Sequence, residues 1–545
     1  MNTNTKKNNN FLVQGSILAI AGIVVRIIGL LYRIPMTNII GEDGIGVYST
    51  AYTIYNILLL ISSYSLPVAV SRLVAARRSI GEYKNAGRVL TCALLFATIS
   101  GTTMCAVAYF GAGYFARSIM GMPEAEYAIK TLAPTILIMA FLGTLRGYFQ
   151  GHGTMIPTAV SQVIEQIVNA VVSVGAAWIL FNKGMELDAG GSNYYQSAFG
   201  AAGGTIGTGM GALSAFIFCV ILFFFFQKVT KQQLRQDTMR DADLETYPDV
   251  MKLIIFTIVP VLISTTVYQL SLIVDQSIFA KYVGSDYKAV WGIYSGKYNL
   301  LINVPVAFAS ALASSIIPTL SGAMARGDRE DARKKTAEAI RFNMLIAIPC
   351  AVGLGVLARP LMRLLFSGAN IEAGRMMMLG SAAVVFYSLS TITNSILQGT
   401  GNIWMPVRNA VLSLGIHIGI LAVLLWVFDL GILGVVFANI AFALLMSIFN
   451  NISVRRVTGH RQEYLKTFIM PLFCASLMGL AARLLYNVVS RFTGNAVSSA
   501  LSVVLAVILY AVLLLLTRTV NEEELKGFPK GAVLARLARK LHLIG

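Results

Sequence analysis

Charge is scarce in this chain: Asp, Glu, Lys and Arg together make up 12% of its 545 residues, against roughly 25% in a soluble domain. Hydrophobic residues reach 56%, so a soluble fold of this length would have too little polar surface to cover its apolar content. Only four histidines and five cysteines occur. Cys92, Cys105, Cys219, Cys350 and Cys474 stand in or beside apolar stretches with no metal-type spacing, and read as small core residues. The chain has no His-Glu-x-x-His, no Gly-x-Ser-x-Gly, and no Gly-Lys-Ser or Gly-Lys-Thr behind a glycine-rich loop. A metalloprotease, a serine hydrolase and an ATP-driven pump are thereby disfavoured; neither an enzyme nor a bound cofactor or metal is expected. No small-residue cleavage site follows the first apolar stretch, so a removable signal peptide is not expected either.

What is abundant is long apolar sequence. Fourteen runs of about 20 residues, from 11–32 to 496–517, each suffice to cross a hydrocarbon layer of roughly 30 Å as a helix. The expected fold class is all-α: a polytopic membrane protein of about fourteen transmembrane helices. The net charge of +18 does not indicate nucleic acid, because the basic residues cluster in short loops. Alternating the loops between two sides places roughly 30 of the 43 Lys and Arg residues with the N-terminus and roughly 10 opposite. That bias predicts a cell-membrane protein with both termini cytoplasmic. Arg72, Arg77, Arg78, Lys84 and Arg88, then Arg326, Arg329, Arg333, Lys334 and Lys335, then Arg455, Arg456 and Arg461 form the basic loops, read as orientation signals.

The sequence repeats itself. Gly46-Val47-Tyr48-Ser49 returns as Gly292-Ile293-Tyr294-Ser295, an offset of 246; Gly81 pairs with Gly327 at the same offset; and Phe149-Gln150-Gly151-His152-Gly153 returns as Leu397-Gln398-Gly399-Thr400-Gly401 at 248. Three matches at one spacing imply duplication. The expected organisation is an N-terminal six-helix lobe over 1–226, a cytoplasmic linker over 227–251, a second six-helix lobe over 252–452, and helices 13 and 14 with a basic tail over 453–545. An even number of helices per repeat makes the lobes parallel, around a central cleft.

Ionisable groups in membrane runs cost roughly 2.5 to 3.5 kcal/mol each near the bilayer centre, so those present face water or a partner. They are Arg26, Glu165, Asp275, Lys297 and Arg483, with Arg33 and Arg146 at helix ends. Arg26 and Lys297 fall at similar depth and suggest an anion site, against structural ion pairing or snorkelling to headgroups. Gly29 and Pro35 suggest a bend nearby. Asp275 suits an ion pair with Lys297, a proton or sodium site, or a packed residue satisfied by a hydroxyl. Glu165 stands among Gln162, Gln166 and Asn169 as a polar stripe toward the cleft or a hydrogen-bonded helix seam. His417 reads as a hydrogen-bonded core residue, Arg483 as a snorkelling one, and Gly203, Gly207 and Gly211 as a helix-packing seam.

The segment Arg26-Ile27-Ile28-Gly29-Leu30-Leu31-Tyr32-Arg33-Ile34-Pro35 through Ile39-Ile40-Gly41-Glu42-Asp43-Gly44-Ile45-Gly46-Val47-Tyr48, with the helix count and duplication, resembles the polysaccharide-biosynthesis branch of the multidrug/oligosaccharidyl-lipid/polysaccharide exporter superfamily. Within that branch it is most similar to the stage V sporulation protein B group and the MurJ-type lipid II flippases. The resemblance covers essentially the whole chain. It implies a flippase that carries undecaprenyl-diphosphate peptidoglycan precursor outward by alternating access, with helices 13 and 14 forming a groove for the lipid tail. It also implies substrate contacts at Arg26 and Arg33. Where Gram-negative members have an arginine midway along helix 2, this chain has Leu58, Leu59 and Leu60; in place of their Arg-x-x-Glu on helix 8 stand Lys297 and Asn303. The partners implied are a polyprenyl-diphosphate-linked glycolipid, membrane lipids and cell-wall synthesis proteins. Membrane potential, H+ or Na+ would supply the coupling, with Asp275 or Glu165 as the cation-responsive acid. The alternatives are another polyprenyl-linked unit of capsule or teichoic type, a cation-coupled multidrug exporter, and a non-transporting membrane scaffold.

Overall fold

A computed structural model of the protein describes residues 2–188, 191, 193–235, 244–284, 287–366 and 371–520. Among these residues every regular element is helical, as the apolar runs require: a chain in lipid must satisfy each backbone group internally. The helices are α1 Asn2–Leu59, α2 Leu66–Ser79, α3 Tyr83–Tyr114, α4 Ala125–Gly151, α5 Ile156–Leu187, α6 Tyr194–Arg235, α7 Tyr247–Val283, α8 Lys288–Gly292 and α9 Asn299–Ala325. They continue with α10 Arg329–Val356, α11 Ala358–Leu365, α12 Ile371–Gly380, α13 Ala383–Gly399, α14 Trp404–Trp426, α15 Ile432–Thr458, α16 Met470–Val489 and α17 Asn495–Leu516. Of the expected linker, residues 236–243, with Asp237, Arg240, Asp241 and Asp243, lie outside the described residues, as does the basic tail from 521 onward.

Eleven stretches among the described residues are long and apolar enough to cross a bilayer, or twelve if α12 and α13, bent by 47°, form one span. Against the fourteen apolar runs, the first two share the single continuous assignment Val24–Ser79, and the seventh, on α7, is not among the eleven. The first two runs nonetheless fold back on each other. Gly41 interrupts α1 at φ 70, ψ −174, a region that a residue with a Cβ adopts only under strain. A straight helix would hold residues 32 and 48 about 24 Å apart, yet the Tyr32 and Tyr48 hydroxyls lie 3.4 Å apart. The bend expected near Gly29 and Pro35 is thus displaced to Gly41: α1 keeps helical backbone through both earlier residues. Pro35 costs the ladder one N–H, and Thr37 Oγ1 donates to the Arg33 carbonyl at 2.8 Å beside it.

The duplication is written into the backbone. Gly41 and Gly284, Gly81 and Gly327, and Gly153 and Gly401 all take positive φ, between 70° and 85°, so three turns of the first repeat have their left-handed glycine again in the second. The chain divides into two compact units, 1–296 and 297–545.

In the first unit α5 packs along α6, α4 lies against α2, α3 and α6, and α1 contacts α5, α6 and α8. The α6 glycines make the α5 seam: a Cβ on Gly203 would strike the Ala176 backbone, one on Gly207 the Ser173 backbone and hydroxyl, and one on Gly211 the Glu165 carbonyl. A second seam joins α1 to α8 with local twofold character. A Cβ on Gly46 would run into the Lys288 carbonyl and one on Gly292 into that of Glu42, residues that are themselves 246 apart. Ser49 and Ser295, also 246 apart, share a hydrogen bond of 2.7 Å. In the second unit α9, α10 and α15 surround α13, while α16 packs on α10 and α17.

Candidate functional site

Arg33 lies on α1 about two turns before the Gly41 break. The fold-back at Gly41 brings two aromatic rings of the following segment to it, with the guanidinium carbon 5.7 Å from the centre of Tyr48 and 5.8 Å from that of Tyr52. Both rings offer their electron-rich faces to the cation. Around them the polar groups connect: Tyr52 shares a hydrogen bond with Thr208 on α6, Asn169 on α5 donates to the Tyr32 hydroxyl at 3.5 Å, and Ser173 donates to Asn169 Oδ1 at 2.8 Å. Among the described residues no carboxylate pairs with Arg33. The result is a cation held by tyrosine faces inside a membrane helix bundle, its charge not neutralised by an acid.

Next along the α5 stripe is Glu165. Its carboxylate takes the guanidinium of Arg146 at 2.8 Å, and Arg146 Nε donates to Ser161 at 2.9 Å. Arg146 is buried and Glu165 partly exposed. The ion pair joins α4 to α5. The equivalent crossing 248 residues later is neutral: Asn450 on α15 donates to Asn394 Oδ1 at 2.8 Å, while Asn409 donates to Asn450 Oδ1 at 2.9 Å and to Ser453 at 3.0 Å.

Of the other residues read from the sequence, Arg26 and Asp275 belong to the first unit and Lys297 and Asn303 to the second. Arg26 is exposed on α1, and Asn303 is exposed on α9 in the second unit. Lys297 is 2% exposed, with its ammonium 5.9 Å from the centre of the Phe366 ring. Asp275 and its neighbour Gln276 are fully buried in the first unit; Gln276 donates to Thr50 and, at 3.4 Å, to Tyr287. His417 packs as expected, with Nδ1 3.0 Å from the Ala438 carbonyl and its ring against Phe442.

Sequence reasoning overlooked Tyr32, Tyr48 and Tyr52 and set Arg146 aside as a helix-end residue. A signal existed for both. Residues 33 and 48 are nearly equidistant from Gly41, and 146 and 165 from the turn after Gly153, so an antiparallel hairpin must bring each pair level. The first basic loop also does more than orient the chain: Arg77 grips Glu245 through two bonds of 2.8 Å, and Arg88 donates to the Glu245 carbonyl. This fork-to-fork pair ties the segment before α7 to α2 and α3. Beside it His152 is enclosed by Tyr148 and Phe226; burial, aided by the charge of Arg78, pushes its imidazole down to about 4 despite a bond to the Tyr148 carbonyl.

In the second unit a hollow of about 350 Å³ opens between α10, α13 and the start of α16, lined by Ile348, Val352, Val385, Phe386, Phe468 and Leu472. Its walls are almost wholly apolar, suited to a hydrocarbon chain rather than a sugar.

Comparison with known proteins fits these observations. The profile of the family described as polysaccharide biosynthesis protein matches residues 12–324, more than half the chain. The chain belongs to that family. The MatE profile matches residues 260–423, and the multidrug/oligosaccharidyl-lipid/polysaccharide exporter superfamily, with its MurJ-like flippase branch, accounts for both matches. Among Bacillus subtilis relatives, the uncharacterized membrane protein YabM is 26% identical, covering 97% of each chain. Lipid II flippase MurJ is 24% identical over 88% of this chain and 89% of its own, and stage V sporulation protein B 23% over 95% and 98%. Among solved structures, the inward closed conformation of lipid II flippase MurJ superposes with a TM-score of 0.64 at 15% identity, covering 91% of this chain and 97% of that one. An inward-facing multidrug resistance MATE family transporter gives 0.62 at 15%, covering 81% and 99%. The protein is thus a multi-span helical membrane protein of a transporter and flippase family.

Proposed function

We propose that the protein flips a polyprenyl-diphosphate-linked glycolipid, with lipid II as the leading substrate, from the inner to the outer leaflet by alternating access. The observation that carries this reading is Arg33: a cation in a membrane helix, cradled by Tyr48 and Tyr52, with no acid among the described residues to neutralise it. Such a charge is costly to keep in the bilayer, and an anionic diphosphate would offset that cost. In the first unit Arg26, exposed on α1, adds positive charge; in the second, Lys297 and Asn303 are proposed as further contacts, while Asp275 is buried away from the substrate. Glu165 acts through Arg146, whose guanidinium it holds. The apolar hollow beside α16 would take the polyprenyl tail.

A membrane potential negative inside favours outward movement of an anion by roughly 2.3 kcal/mol per charge per 100 mV, so potential alone can drive the cycle, with Asp275 or Glu165 as the point where H+ or Na+ would couple. Both termini face the cytoplasm in this scheme. The MatE match over 260–423 favours a second reading, a cation-coupled drug exporter. The Arg33 site opposes it for cationic drugs, since it presents positive charge.

The test is complementation of a bacterial strain depleted of its lipid II flippase. The wild-type chain should restore growth; Arg33→Glu, and Arg26→Glu combined with Lys297→Gln, should fail at equal membrane levels. Growth restored by all three chains removes the cationic path, and failure of the wild type turns the substrate toward a capsule or teichoic-type unit.

A further inference from the structure

A separate hollow of about 550 Å³ lies in the second unit where α10 ends, α11 begins and α16 nears its end, lined by Val352, Val356, Met378, Arg359 and Arg483 among others. It is at the end of α10 opposite Arg329 and the basic loop, and shares no charged residue with the sites above. Arg483 leans on the end of α10, its guanidinium donating to the Val356 carbonyl at 3.4 Å, where the negative end of the helix dipole favours a cation. Its guanidinium carbon also lies 6.0 Å from the centre of the Tyr486 ring. Arg359 is exposed, its aliphatic stem laid over Gly374 so closely that a Cβ there would come within 2.8 Å of it.

No carboxylate pairs with either arginine among the described residues. The frame is fixed by a relay: Tyr486 and Asn495 share a hydrogen bond of 2.9 Å, and Asn495 donates to the Pro360 carbonyl at 3.1 Å. This ties the turn between α16 and α17 to the helix that carries Arg359. Beside the hollow the surface is apolar, with Leu480, Leu484 and Met378 all more than half exposed. Two unneutralised guanidiniums at a helix end, above an apolar face, match the layout of an amphiphile with an anionic head and hydrocarbon chains.

We propose that Arg359 and Arg483 bind the phosphodiester of an anionic glycerophospholipid of the surrounding bilayer, its acyl chains lying along Leu480 and Leu484. This ligand is a resident lipid, not the transported molecule. The two fork-shaped donors favour phosphate oxygens over the choline of a zwitterionic lipid.

The experiment uses the full-length protein purified into nanodiscs of phosphatidylcholine with or without phosphatidylglycerol. The wild type should gain thermal stability from phosphatidylglycerol and retain one such molecule in native mass spectrometry. Arg359→Gln, which removes an exposed side chain and leaves the Arg483 contacts in place, should weaken retention roughly ten-fold at unchanged stability in phosphatidylcholine alone, and Arg359→Gln/Arg483→Gln should abolish it. Arg359→Lys should retain the lipid better than Arg359→Gln. Equal retention of phosphatidylglycerol by wild type and Arg359→Gln overturns the proposal. So does equal retention of phosphatidylcholine, the same stabilisation by inorganic phosphate in phosphatidylcholine discs, or displacement of phosphatidylglycerol by a polyprenyl diphosphate at equimolar amounts.

Discussion

Where α4 crosses α5, Arg146 meets Glu165 and Ser161; where α13 crosses α14, the equivalent ground is held by Asn394, Asn409 and Asn450, all neutral. The pattern extends beyond that crossing. With Gly41 set on Gly284, Arg33 falls on Gln276; with Gly153 set on Gly401, His152, uncharged at neutral pH, falls on Thr400. At the crossing and at Gln276 the second repeat has neutral side chains, so neither joint requires an ion, which is expensive to insert. Charge in the first repeat therefore serves something besides packing, and Arg33, the member without an acid, is where an anionic substrate has most to gain.

The comparison can be broken from either side. The largest effect should follow Glu165→Gln, which leaves the buried Arg146 guanidinium without its counter-ion and should cost about 3 to 5 kcal/mol in detergent unfolding. Next is the second repeat: Asn450→Ala removes the amide that links Asn394 to Asn409 and should cost about 1 kcal/mol, because buried Asn409 loses one acceptor while keeping its bond to Ser453. Exchanging the first repeat toward the second, with Arg146→Asn and Glu165→Ser together, should cost only about 1 kcal/mol, far less than Glu165→Gln, since no lone charge remains. A double variant as unstable as Glu165→Gln would mean the two crossings are not interchangeable.

The smallest effect belongs to pH. His152 is held near 4 when folded and returns to the usual value of about 6.5 when unfolded. The unfolded chain therefore binds the extra proton first. Stability from this residue is intact above about 6.5 and falls as pH drops toward 4, by about 1 kcal/mol at about pH 6. His152→Thr, the residue of the second repeat, should flatten this part of the stability profile.

The helices were the most legible part of the fold, located by the apolar runs. The paired glycines that revealed the repeat, Gly81 with Gly327 and Gly153 with Gly401, fall at turns with positive φ, whereas the break at Gly41 was missed in favour of Gly29 and Pro35. The Gly203, Gly207 and Gly211 seam followed from small-residue spacing. Partners across long sequence separations were not legible: Arg77 and Glu245 are 168 residues apart, and nothing local in either segment names the other. The Arg33 cage was partly readable from hairpin symmetry about Gly41. Thr208 and Asn169 reach it only through the packing of α5 and α6, which the glycine stripe indicated without its register.

The most direct measurement is the rate at which purified protein in proteoliposomes moves a fluorescent polyprenyl-diphosphate glycolipid, comparing wild type with Arg33→Gln and Arg33→Lys. Arg33→Gln installs the side chain found at the matching place of the second repeat; flipping should fall at least roughly ten-fold while thermal stability holds, and Arg33→Lys should keep part of the rate. Wild-type flipping by Arg33→Gln would contradict the role given to this cation.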